Sequence, residues 1–82
     1  MNNGINSVIQ EGIKLLGVTQ LTERMFNVWL SYSINMLRLV CRNTAIIQQY
    51  TSSVLGVLAS EVSPHEKLSH CLKLLLSINQ LL

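Results

Sequence analysis

The chain has 82 residues, 49% apolar and only 12% charged, with six Lys or Arg against four Glu and a formal net charge of +2. A single domain of this length buries about 60% of the surface its unfolded chain exposes, so it is marginal on its own. The positive charge is too weak for a nucleic-acid footprint, and charged residues fall to about half the usual share of about 25%, so apolar side chains must finish part of the surface and invite a covering partner.

The first helix is predicted over 5–17. Ile5, Val8, Ile9, Ile13 and Leu16 recur at helical spacing and form one apolar stripe. Gly12 lies on the same side, where it either admits a close neighbour or simply weakens the helix. Gly17 is placed to end the helix in a left-handed conformation.

The second helix is predicted over 20–42, with Thr19 or Thr22 as the N-cap and Glu23 favourable at the positive end of the dipole. Arg24, Asn27, Ser31, Asn35, Arg38 and Arg42 are spaced by three or four and share one narrow polar stripe. The rest of the circumference is mostly apolar, the pattern of a buried helix that touches several neighbours. This helix is therefore expected at the centre of the fold. Trp29, Tyr32 and Met36 share a stripe and are expected in the core.

Two readings of the next stretch follow from the residues. Asn43 and Thr44 compete with helical hydrogen bonding, so they can end the second helix and start a third over 44–61. Alternatively, no Gly or Pro lies between Val18 and Gly56, and the polar stripe continues in phase. One unbroken helix over 20–61, about 60 Å long at ~1.5 Å per residue, would then demand an intertwined dimer. Compactness favours the break. The third helix shows Ile46, Ile47, Tyr50, Val54, Val57 and Leu58 on one face.

The last helix is predicted over 64–81. Ser63-Pro64-His65-Glu66 reads as a capping box with Pro at the first helical position. Leu68, Cys71, Leu72, Leu75, Ile78 and Leu82 form its core stripe. Leu74, Leu76 and Leu81 fall outside that stripe and are the first candidates for a contact surface. Arg38 and Arg42, one helical turn apart, are the candidates for contact with acidic groups of a partner. The chain ends at Leu81-Leu82 without a polar tail, which suggests a fragment of a longer protein or a helix end packed on a partner. The expected architecture is an all-α, antiparallel four-helix bundle in a single domain, 1–82.

Chemistry is sparse. There is no Asp, and the four Glu form no close pair beyond Glu61 and Glu66. His65, His70, Cys41 and Cys71 lack the spacing of a zinc site. The four glycines are scattered, so no phosphate-cradling loop exists. No catalytic, cofactor or metal-binding residue is expected, and the chain is not expected to be an enzyme. The 25–41 stretch is too short and too polar to span a bilayer. Two distant cysteines, the lack of an Asn-x-Ser/Thr site and an N-terminus unlike a signal peptide point to an intracellular protein, cytoplasmic or nuclear.

The leading expectation is a protein–protein interaction or oligomerisation module, an adaptor or scaffold subunit, whose partner is another protein chain. A structural segment of a helical-repeat scaffold and a small helical nucleic-acid-binding regulator are the alternatives.

Overall fold

The computed structural model describes residues 3–81. It contains four helices: α1 (Asn3–Leu16), α2 (Glu23–Val40), α3 (Thr44–Ala59) and α4 (Pro64–Leu81). No strand occurs among the described residues. Leu82, expected on the last core stripe, lies outside them, as do the first two residues.

Helices α2, α3 and α4 each start where the sequence offers an acceptor for their orphan N–H groups. Thr22 caps α2 and accepts from the Met25 amide at 3.1 Å. Asn43 caps α3 and accepts from the Ala45 amide at 3.0 Å. Ser63 Oγ accepts from the Glu66 amide at 3.3 Å, with Pro64 as the first residue of α4. Helix α1 ends differently from expectation. Gly17 and Val18 bond back to Lys14 and Leu15, three residues earlier. No described glycine has a positive φ, so a tight final turn does the work expected of a left-handed cap.

The break after α2 is real, and it overturns the alternative of one helix over 20–61. Cys41 is extended, its amide closes the last helical bond to Leu37, and Asn43 begins the next helix. The molecule measures 34 × 24 × 18 Å, which leaves no room for a straight helix of about 60 Å. Its radius of gyration of 12.0 Å matches the roughly 12 Å of a folded domain of this length.

Inter-helix contacts give the antiparallel register. Going up α1, Val8 and Gly12 meet Trp29 of α2, while Gly4 meets Met36 further along. Against α4, Asn6 meets Asn79 and Gly12 meets Leu72, so these helices also run in opposite directions. Helices α2 and α4 each touch all three others, whereas α1 and α3 do not touch. The central position expected for α2 is thus shared with α4.

The core joins Ile5, Val8 and Ile9 of α1 to Phe26, Trp29, Leu30 and Leu37 of α2, Tyr50, Val54 and Val57 of α3, and Leu68, Cys71, Leu72 and Leu75 of α4. Each large aliphatic or aromatic side chain so buried contributes about 1.5–3 kcal/mol. The α1 stripe turns out narrower than its periodicity predicts. Ile13 is 51% exposed, because Gly12 takes the position closest to α2 and α4 and Leu15 packs beside it. On α2 the whole polar stripe from Arg24 to Arg38 is exposed as expected. Yet Met25, Val28, Tyr32 and Leu39 are exposed as well. Tyr32 therefore leaves the core group in which Trp29 stays, with Met36 half-buried beside it.

Candidate interaction surface

A broad, mainly apolar concavity lies between α1 and α2. It starts from Gly12. A Cβ there would lie 2.6 Å from Leu72 Cδ2 and 3.0 Å from the Trp29 ring, so only glycine lets the indole lie against α1. The indole N–H then donates to the Val8 carbonyl at 2.9 Å, and Phe26 stacks near the same ring with centroids 6.5 Å apart. Trp29 is thus a fixed floor. Above it, Leu15, Met25, Val28 and Tyr32 line a groove of about 640 Å³, with Glu11 on the α1 rim and Arg24 on the α2 rim. Val28 is 66% exposed and joins Met25 and Tyr32 in one contiguous apolar lip, the kind of patch that marks an interaction site.

The three leucines singled out on α4 do not form one surface. Leu74 is half-buried and packs on the core. Leu74 and Leu81 line a narrow cleft of about 150 Å³ against Tyr50 and Ser53 of α3. Leu76 is exposed but two residues from Leu74, about 200° round the helix, so it faces the other way. The arginine pair also separates. Arg38 is exposed on the last turn of α2, while Arg42 is exposed in the connection after it, because the helix stops at Val40. Neither is in an ion pair among the described residues. The residue that joins the apolar groove is Arg24.

A third concavity, about 530 Å³, runs between α3 and α4 past Gly56, Ser60, Val62, Glu66 and His70. Glu66 and His70 share it without forming an ion pair.

Among the described residues, no buried side-chain nitrogen or oxygen lacks a hydrogen-bond partner. Ser33 Oγ donates to the Leu30 carbonyl at 2.7 Å and lies 2.9 Å from the Tyr50 hydroxyl. Burial drives the Tyr50 pKa upward, against the opposing pull of the Ser33 hydrogen bond. Burial also pushes the Cys71 thiol up to about 11, which suits a small core side chain and not a nucleophile. Lys67 is buried and its ammonium grips both oxygens of Glu23, at 3.0 and 3.3 Å. His65 Nε2 donates to the Val18 carbonyl at 2.6 Å. Together these two contacts pin the start of α4 to the α1–α2 connection and the start of α2.

Sequence reasoning missed Lys67 and His65 as structural clamps. A signal for Lys67 existed: it precedes Cys71 by four residues and so falls on the core stripe, where an ammonium needs a partner. Nothing in the sequence pairs His65 with Val18, since a backbone carbonyl has no residue signature. No cluster of three or more His, Cys, Asp or Glu among the described residues is placed to hold a metal ion. No described helix is long and apolar enough to cross a membrane. Comparison of the chain with family models, with curated proteins and with solved structures gave no match.

Proposed function

We propose that the chain is a non-catalytic protein–protein interaction module of an intracellular assembly, docking a partner through its exposed apolar helical surface. The observation that carries this reading is the α1–α2 groove. Its floor is held rigid by a glycine contact and an indole hydrogen bond, while its lip, Met25, Val28 and Tyr32, is left to solvent. A rigid floor and an uncovered apolar lip suit helix-in-groove recognition. His65 is committed to a backbone carbonyl and both cysteines are buried, which fits a non-catalytic role and leaves only His70, exposed beside Glu66, with an open imidazole.

The test is the state of the purified chain at micromolar concentration. The expected result is an oligomer by light scattering, or a monomer that binds an apolar surface dye and loses that binding with Val28→Asp. A clean monomer that binds no dye would rule the reading out.

A further inference from the structure

Beyond the groove, the apolar lip continues along α2. Met25, Val28, Tyr32 and Leu39 lie within about 60° of one another around the helix axis. All four are exposed, Leu39 by 79%. The strip is about 21 Å long at ~1.5 Å per residue, roughly four turns of a partner helix. Arg24 and Arg38 flank it on one side, without ion-pair partners among the described residues. On the opposite rim, Glu11 is already matched by Lys14 at 3.6 Å. The face as a whole is therefore apolar along its middle and positive at its edge.

Charge decides among occupants. A second copy laid on this strip would bring two more unpaired arginines to meet the first two, and the strip itself holds no free carboxylate to balance them. An anionic bilayer is flat and would leave the groove unfilled. An acidic helix meets neither objection. Resting on the interaction-module reading, we infer that the groove and strip take one amphipathic helix whose apolar stripe is flanked by Asp or Glu. Its aliphatic side chains enter over Trp29 and along the strip, and its carboxylates face Arg24 and Arg38.

The experiment selects binders to the whole chain from a displayed library of helical peptides. The leucine stripe is fixed and each flanking position is randomised between Glu and Lys. Binding of the recovered peptides is read from Trp29, the single tryptophan. Glu is expected to be enriched at the flanks. Val28→Asp is expected to weaken the selected peptides by about tenfold or more, the scale of a lost anchor contact. The double variant Arg24→Glu/Arg38→Glu should come to prefer Lys. These positions are exposed, and circular dichroism with a thermal melt checks that each variant is folded.

Equal enrichment of Glu and Lys, or a preference that survives charge reversal, overturns the inference. So does a dimer that Val28→Asp dissolves, or binding to phosphatidylserine-containing vesicles in place of peptide. Peptides that bind but ignore Val28→Asp sink this inference and leave the interaction-module reading standing. A chain that binds neither dye nor any helix sinks both.

Discussion

Around Gly12 three helices crowd together; around Gly56 nothing comes close. A Cβ at Gly12 would strike Leu72 and the Trp29 ring, whereas a Cβ at Gly56 meets nothing within 4 Å. Both residues sit inside helices, where glycine costs roughly 1 kcal/mol relative to alanine. At Gly12 the cost is offset by close packing of α1 on α2 and α4. At Gly56 no contact within the chain offsets it. The α1 seam is therefore closed by shape, while the α3 seam is looser, held by Ile46, Ile47, Val54 and Val57 and by one hydroxyl contact between Ser33 and Tyr50.

The sharpest way to break this contrast is to fill the closed seam. Gly12→Val should destabilise the fold by about 2–3 kcal/mol, the usual scale of overpacking, because its Cβ alone would lie 2.6 Å from Leu72 Cδ2 and 3.0 Å from the Trp29 ring. Urea denaturation measures it. An unchanged midpoint would show that the seam is softer than its contacts imply. The same variant should shift Trp29 fluorescence, since the indole must move off Val8.

Alkaline pH probes the middle of the bundle, where Cys71 and Tyr50 lie together. The Cys71 thiol ordinarily titrates near 9.0 and is raised to about 11 by burial. The folded state therefore holds this proton more tightly than the unfolded one. Its contribution to stability is complete below about pH 9 and is lost as pH rises toward 11. At about 1.4 kcal/mol per pKa unit, the loss is on the order of 2 kcal/mol. Tyr50, also raised, adds to it above its ordinary value of 10.0. Urea melts stepped from neutral pH to about pH 11 should show this decline, and Cys71→Ala should flatten its first part. A flat profile in the parent chain would mean that water reaches Cys71.

The hydroxyl contact of the α3 seam predicts an asymmetry. Ser33→Ala leaves the Tyr50 hydroxyl buried without a partner and should cost about 1–2 kcal/mol. Tyr50→Phe leaves Ser33 still donating to Leu30 and should cost about 1 kcal/mol or less. The double variant should be more stable than Ser33→Ala alone, because removing both partners strands neither. Additive losses in the double-mutant cycle would deny the coupling.

Much of this architecture is legible in the residues because local chemistry specifies it. Ser63-Pro64 and Thr22 mark helix starts through capping, and the polar stripe from Arg24 to Arg38 marks the outer face of α2 through its period. Helix exits are less legible: Gly17 needs no left-handed turn, since bonds three residues back end α1 equally well. The candidate site was less legible still. Periodicity shows that Leu74, Leu76 and Leu81 leave the core stripe, but not that Leu74 and Leu81 turn toward α3 while Leu76 turns away. The α1–α2 groove arises where two helices diverge above Trp29, and divergence is a tertiary property. What the sequence did carry was a surplus of apolar positions on α2, and four of those positions now line the exposed strip.

The smallest expected effect tests the open seam. Gly56→Ala should stabilise the chain by about 0.5–1 kcal/mol, because alanine restricts the unfolded chain and meets no obstacle in α3. For a domain of this size that is a rise of about 2–8 °C in Tm. The sign is opposite to that at Gly12, although both substitutions add side-chain atoms to a helical glycine. A fall in Tm would mean that another element closes over Gly56 in solution, and the α3–α4 groove would then be the tighter seam. A rise leaves Gly56 as a position where the fold gives up stability with no contact of its own in return. The backbone of α3 is then open to close approach on the side lined by Ser53 and Ser60.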